Sequence, residues 1–271
     1  MRNAENQVLV PTKIKPTQNP KIKYAKNNLF GRKIGFFMAI IMACLILFNI
    51  CDIMSSVITN SRSLMKIDKF YVPSYSVYGV SSKDFDSPFD AQNYCDEIST
   101  LGALGKVYEN GKYYALVQIY PTLLSAGEVR ENLTNIGYDA KIITIDIPQI
   151  QVNYYGKSKD KAEEGVGIYK RVWLSLYEDE ISFDKKNITR ENLLGRIAIK
   201  IEELQKTKEQ ISTFGFKECQ AKIFAESLTN IIKNLGLVFS FSGSDEGLSS
   251  CIKKHMFDII TENIYLSKKF I

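Results

Sequence analysis

Histidine is almost absent from this chain of 271 residues, with His255 the only one. That leaves little room for a Ser/His catalytic pair or a His-based metal site. None of the five cysteines forms a C-x-x-C pair, so neither a zinc ribbon nor a thioredoxin-type redox centre is supported. The run Ser240-Phe241-Ser242-Gly243-Ser244 is not the G-x-S-x-G of a nucleophile elbow. Gly165-Val166-Gly167 lacks the third glycine and the preceding strand of a dinucleotide loop. Acidic pairs such as Glu202-Glu203 sit at solvent-facing spacing, which does not suit glycoside hydrolysis. These absences argue against an enzyme and against a resident metal or cofactor. His255 is flanked by polar residues, reads as exposed, and is given no role. Trp173 falls in an apolar helical stripe and reads as core.

The body of the chain also lacks a basic surface. The formal charge is +5, but residues 1–33 alone hold eight cations and one acid. Residues 70–148 hold five cations against ten acids. An acidic module repels nucleic acid, which is therefore not an expected partner. The first 33 residues carry Pro11, Pro16 and Pro20 and no apolar periodicity. They read as a disordered basic tail.

After the tail comes a long apolar run, IGFFMAIIMACLILFNIC, without a charged residue and continuing in pattern to Ile58. At about 1.5 Å per residue the eighteen residues would extend close to a bilayer's hydrocarbon thickness. Residues 34–58 are thus expected to be a single transmembrane helix in the lipid bilayer, an uncleaved signal anchor. The cations before the run outnumber those after it, which predicts a cytoplasmic N-terminus and an extracytoplasmic remainder at the cell membrane. Residues 59–69 read as a stalk.

An internal repeat occupies residues 70–148. Asp90–Val107 and Ser125–Ile142 match at an offset of 35. Ala91, Tyr94, Ile98 and Leu101 recur at one-face helical spacing, as do Ala126, Val129, Leu133 and Ile136. Gly102 and Gly137 stand where left-handed caps would end each helix. β-like runs flank both helices, and Asn110-Gly111 is a hairpin signal. The pattern predicts an α+β domain: a four-stranded antiparallel sheet with two helices on one face, of the ferredoxin-like βαβ-βαβ kind.

This duplicated unit, with its helix–Gly–aromatic–strand punctuation at Ile136-Gly137-Tyr138-Asp139-Ala140, resembles the sporulation-related repeat (SPOR) domain family. The resemblance covers residues 70–148. It implies non-enzymatic binding of peptidoglycan, in particular denuded glycan strands, at septa in cell division or sporulation. Val77-Tyr78-Gly79 stands where that family's first strand commonly reads Gln-x-Gly. Gln118-Ile119-Tyr120 stands where its third often ends in Gly-Pro-aromatic.

The sheet face away from the helices is the expected ligand surface. Strand alternation puts Tyr114, Leu116, Gln118 and Tyr120 together, with Tyr75 and Val77 beside them. Rings would stack on sugars and the amide would hold hydroxyls. An alternative reading is a membrane-anchored scaffold for divisome or sporulation proteins, in which the SPOR-like fold has lost glycan binding. The two readings separate on whether Tyr114, Gln118 and Tyr120 lie open or under the C-terminal helices.

Residues 149–271 turn to helical periodicity, with starts near Asp160, Thr189 and Ser244 and stops near Gly215 and Gly236. They read as a small helical bundle or appendage. Cys95, Cys219 and Cys251 fall after the apolar run, and the sequence leaves their pairing open.

Overall fold

The computed structural model describes residues 67–156 and 159–270. The described residues belong to one compact unit, Met65–Ile271. The expected tail, membrane span and most of the stalk lie outside the described residues. Among the described residues no helix is long and apolar enough to cross a membrane. The expected architecture of a membrane helix, a sheet domain and a helical appendage is therefore corrected. The described architecture is α+β, with two sheets and six helices; the main core joins both sheets to four of the helices, and the first two helices pack through two smaller clusters.

The larger sheet comprises β2 (Tyr75–Phe85), β3 (Lys106–Asn110), β4 (Lys112–Tyr120) and β5 (Lys141–Ile147). Its spatial order is β3-β4-β2-β5, with every neighbouring pair antiparallel. Helix α1 (Pro88–Ser99) joins β2 to β3, and α2 (Leu123–Asn135) joins β4 to β5. Ser87 caps α1 through the Asp90 amide, and Thr122 caps α2 through the Ser125 amide. Each such cap contributes about 1 kcal/mol. Gly102 and Gly137 follow the helices with φ of 87° and 97°, the left-handed region that glycine enters without strain.

Both helices lie on one face of the sheet. Cys95 and Ile98 of α1 pack with Ala115, while Ala126 of α2 packs with Val80 and Tyr120. Leu101 and Ile136, expected on the buried stripes, are exposed instead. The helices end at Ser99 and Asn135, so a spacing that presumes one more turn runs past the last helical residue of each.

A second, two-stranded sheet was not anticipated. β1 (Ile67–Val72) pairs antiparallel with β6 (Ile150–Tyr155). β1 begins inside the segment read as a stalk, and β6 inside the segment read as helical. Phe70, Val152 and Tyr154 bury their side chains from this ribbon. Ribbon and larger sheet connect through the short turns at Pro73-Ser74 and Pro148-Gln149.

Four helices complete the unit: α3 (Lys159–Asp184), α4 (Arg190–Glu209), α5 (Glu218–Leu237) and α6 (Asp245–Lys269). Contacts run α3 to α4, α4 to α5, α5 to α6 and α6 back to α3, closing a four-helix ring. Trp173, Tyr169, Leu176, Leu228 and Ile252 fill its centre. The same core continues into Val77, Leu116, Ile143, Ile145 and Ile147 on the sheet face that α1 and α2 leave free. The bundle is therefore the second cover of the sheet: α6 packs on β4, β5 and β6, and α3 packs on β1 and β6. A sheet apolar on both faces must be covered on both, because burial supplies roughly 25 cal/mol for each Å² of apolar surface removed from water.

Candidate functional site

The six residues expected to line an open face do not share one. β2 and β4 pair Val80 with Gln118, then Ser81 with Leu116, then Lys83 with Ala115. Val117 and Ser82 are each left without a partner in turn, so each strand carries a bulge. A one-residue slip sends later side chains to the opposite face. Tyr114 and Leu116 therefore pack into the core shared with the bundle, while Tyr120 packs with Val80 and Ala126 under α2. Val77, Leu116, Gln118 and Tyr120 are all buried. The sheet face expected to meet glycan is occupied by the chain's own helices.

Gln118 shows how the covering is held. Its amide Nε2 donates to Glu180 Oε2 of α3 at 2.6 Å. Glu180 is fully buried and also meets Lys253 Nζ of α6 at 3.0 Å and the Ser249 hydroxyl at 3.3 Å. Lys253 reaches Asp184 at 2.7 Å and donates to the Gly102 carbonyl at 2.8 Å. Burial dominates at Glu180 and, with Asp184 beside it, outweighs the pull of Lys253, so its carboxyl rises to about 7. The cluster ties β4, the turn after α1, α3 and α6 together. Sequence reasoning missed it because its members come from four distant segments, with no spacing to connect them.

Tyr75, of the six, borders a cleft. The cleft is lined by the two turns Val72–Tyr75 and Ile147–Ile150, by Val166 and Lys170 of α3, and by Asn263 of α6. Asn263 Nδ2 donates to the Tyr75 hydroxyl at 2.8 Å, and the Lys170 ammonium stands 4.8 Å from the centre of the Tyr75 ring. Burial raises the Tyr75 phenol, partly offset by the bond from Asn263. Asn263 Oδ1 is buried without a hydrogen-bond partner. The cleft thus offers one hydroxyl donor and a cation among apolar walls.

Outside the sheet, α1 and α2 carry apolar side chains into solvent. Phe89, Leu101, Leu124 and Ile136 are each more than 70% exposed, and Leu123 and Tyr138 are exposed beside them in sequence. Phe89, Leu123 and Leu124 stand in the first turns of these helices, and Leu101, Ile136 and Tyr138 follow their last residues. Among the described residues no group of three His, Cys, Asp or Glu side chains is arranged to hold a metal ion.

No family model matches the chain, and no curated protein or solved structure does. Any function must therefore be argued from the geometry and from the pattern in residues 70–148.

Proposed function

We propose that this chain is a non-enzymatic protein-docking module whose SPOR-like sheet is sealed by its own C-terminal bundle. One observation carries the reading: Leu116 and Gln118, at the centre of the expected glycan face, are buried against α3 and α6. A long glycan strand would have to displace that bundle and leave Glu180 and Lys253 without their partners. Each buried polar group left there without a partner costs about 1–3 kcal/mol. The docking surface is the outer layer, where large apolar side chains stand exposed at the starts of α1 and α2 and just past their ends. Exposed apolar surface is what a partner protein covers. The proposed setting, a division or sporulation septum, rests on the resemblance of residues 70–148 to the sporulation-related repeat family.

The Tyr75 cleft favours a second reading, in which a neutral sugar unit binds at the sheet's edge through Tyr75 and Asn263. A pull-down of the full chain with amidase-treated and untreated sacculi separates the two. The docking reading expects equal recovery on both. Enrichment on treated sacculi that survives Tyr75→Ala would overturn it in favour of a glycan site elsewhere on the module. Enrichment that Tyr75→Ala abolishes would establish the second reading. Photo-crosslinkers at Leu101 and Leu124 supply the positive arm. The docking reading expects one discrete adduct in cells from these sites and none from a solvent-exposed position on α4.

A further inference from the structure

His255 is not the exposed, idle residue that its polar neighbours suggest. Its side chain is only 12% exposed, and its Nδ1 lies 3.2 Å from Asp258 Oδ2. Asp258 is itself held from two other elements: Asn234 of α5 donates to it at 3.4 Å, and Lys106 of β3 approaches to 3.8 Å. Cys251 lies one helical turn before the ring and lines the same cavity. Cys251, His255 and Asp258 fall at i, i+4 and i+7 of α6, one face of a single helix. Burial disfavours charge on the imidazole, but its bonds to Asp258 and Cys251 outweigh that and raise it to about 9.

The thiol and imidazole open onto a cavity of ≈ 390 Å³. Ligand pockets run from roughly 300 to 1,000 Å³. Ser99 and Thr100 from the end of α1 form one wall, and Phe241 and Gly247 another. Lys254 adds an ammonium group. Ser250 lines the cavity, is only 3% exposed, and its hydroxyl has no hydrogen-bond partner. A buried hydroxyl left unpaired costs on the order of 1–3 kcal/mol, which a ligand acceptor in the cavity would recover. The other two described thiols lack this setting. Cys95 is fully buried, and burial pushes it up to about 11. Cys219 is exposed near the start of α5.

We propose that Cys251, His255 and Asp258 form a reactive-thiol site that exchanges with small disulfides bearing carboxylates. The thiol gives its proton to water, and the charged ring that Asp258 holds stabilises the thiolate nucleophile of such exchange. Cys251 Sγ attacks one sulfur of the incoming disulfide. A Cys251–S–S–R bond forms and the R–S–S–R bond breaks. The departing thiolate takes a proton from water and leaves as a free thiol. Lys254 and the protonated ring favour a carboxylate on the ligand, and the Ser250 hydroxyl donates to it. The reaction is stoichiometric, so it modifies a docking module without making it an enzyme.

The test uses the folded full chain and oxidised glutathione, with adduct formation followed site by site through peptide mass mapping. Cys219 in the same molecule is the internal standard for simple accessibility. Cys251 is expected to form its mixed disulfide at least about tenfold faster than Cys219, although Cys219 is the more exposed. In His255→Gln that advantage disappears while the Cys219 rate holds; Asp258→Asn reduces it by a smaller factor. Equal or slower reaction at Cys251 in the unaltered chain overturns the proposal without any variant. So does an unchanged Cys251 rate in both folded variants. The anionic preference is read against cystamine, a cationic disulfide. Cystamine reacting at Cys251 as fast as oxidised glutathione would overturn the assigned ligand class.

Discussion

Replacing Glu180 by Gln inverts the usual expectation for a buried ion pair. The carboxyl is fully buried between Gln118, Ser249 and Lys253, with Asp184 close enough to share hydrogen bonding. Two carboxylates face one ammonium there. Desolvation and Asp184 raise Glu180 from 4.5 to about 7, against the pull of Lys253. Between those values the folded chain binds more protons than the unfolded one, so stability falls as pH rises from about 4.5 to 7. Each unit of displacement corresponds to about 1.4 kcal/mol, so most of roughly 3 kcal/mol is lost from about pH 5 to pH 8. Glutamine keeps the size and one carbonyl acceptor but has no proton to lose. Glu180→Gln is therefore expected to match the unaltered chain near pH 5 and to be more stable by about 2–3 kcal/mol at pH 8.

Urea unfolding at several pH values, followed by the fluorescence of the single, buried Trp173, measures the difference directly. Subtracting the variant's curve removes the titrations of groups that Glu180 does not touch. That subtraction matters above pH 6.5, where the raised His255 also costs stability as it loses its proton between 6.5 and about 9. Asp184, lowered by its bonds to Glu180 and Lys253 despite burial, acts with the opposite sign and only at more acid pH. Parallel curves for the two proteins, or a variant weaker at pH 8, would show Glu180 to be ionised and well paired. Either result refutes the reasoning from burial.

Two further substitutions probe the packing that seals the sheet. Gly105→Ala adds a Cβ 2.5 Å from the Cys95 carbonyl oxygen at a φ of 56°, so backbone must move. A loss of at least about 2 kcal/mol in urea unfolding is expected, and a loss under about 0.5 kcal/mol would contradict the close approach of α1 to this turn. Asp179→Ala removes the carboxylate that Arg196 meets at 2.8 Å and that the buried Lys200 also contacts. Leaving Lys200 unpaired between α3 and α4 should cost about 3–5 kcal/mol, and Lys200→Met in the same background should recover most of it. Absence of that recovery would assign the loss to packing.

How much of the molecule is legible in the sequence depends on the range of each signal. The repeat at an offset of 35 and the positive φ at Gly102 and Gly137 are local, and a local pattern carries them. The ends of the apolar stripes are less legible: Leu101 and Ile136 keep the spacing, yet the helices stop two residues and one residue before them. Pairing of β1 with β6 joins residues distant in the chain, and nothing in the short run Ile67–Val72 says what it will meet. The bulges at Ser82 and Val117 leave no compositional mark, yet they decide that Leu116 and Tyr120 part company. Strict alternation assigns a face correctly only up to the first bulge.

The same logic explains why the covering of the sheet was the hardest feature to read and is the one on which function turns. Val77, Leu116, Ile143, Ile145 and Ile147 form a second apolar face. Taken with the aromatics of β4, such a face reads equally as a ligand platform or as core. Only the polar residues that close it discriminate between the two. Gln118 on a glycan platform would be left to water or sugar; here it is committed to Glu180, and Glu180 to Lys253. A buried amide joined to a buried charge network marks a closed interface, because opening it exposes unpaired charges that a neutral sugar has no means of satisfying. The commitment of Gln118, more than the burial of any apolar neighbour, favours a docking module over a glycan reader.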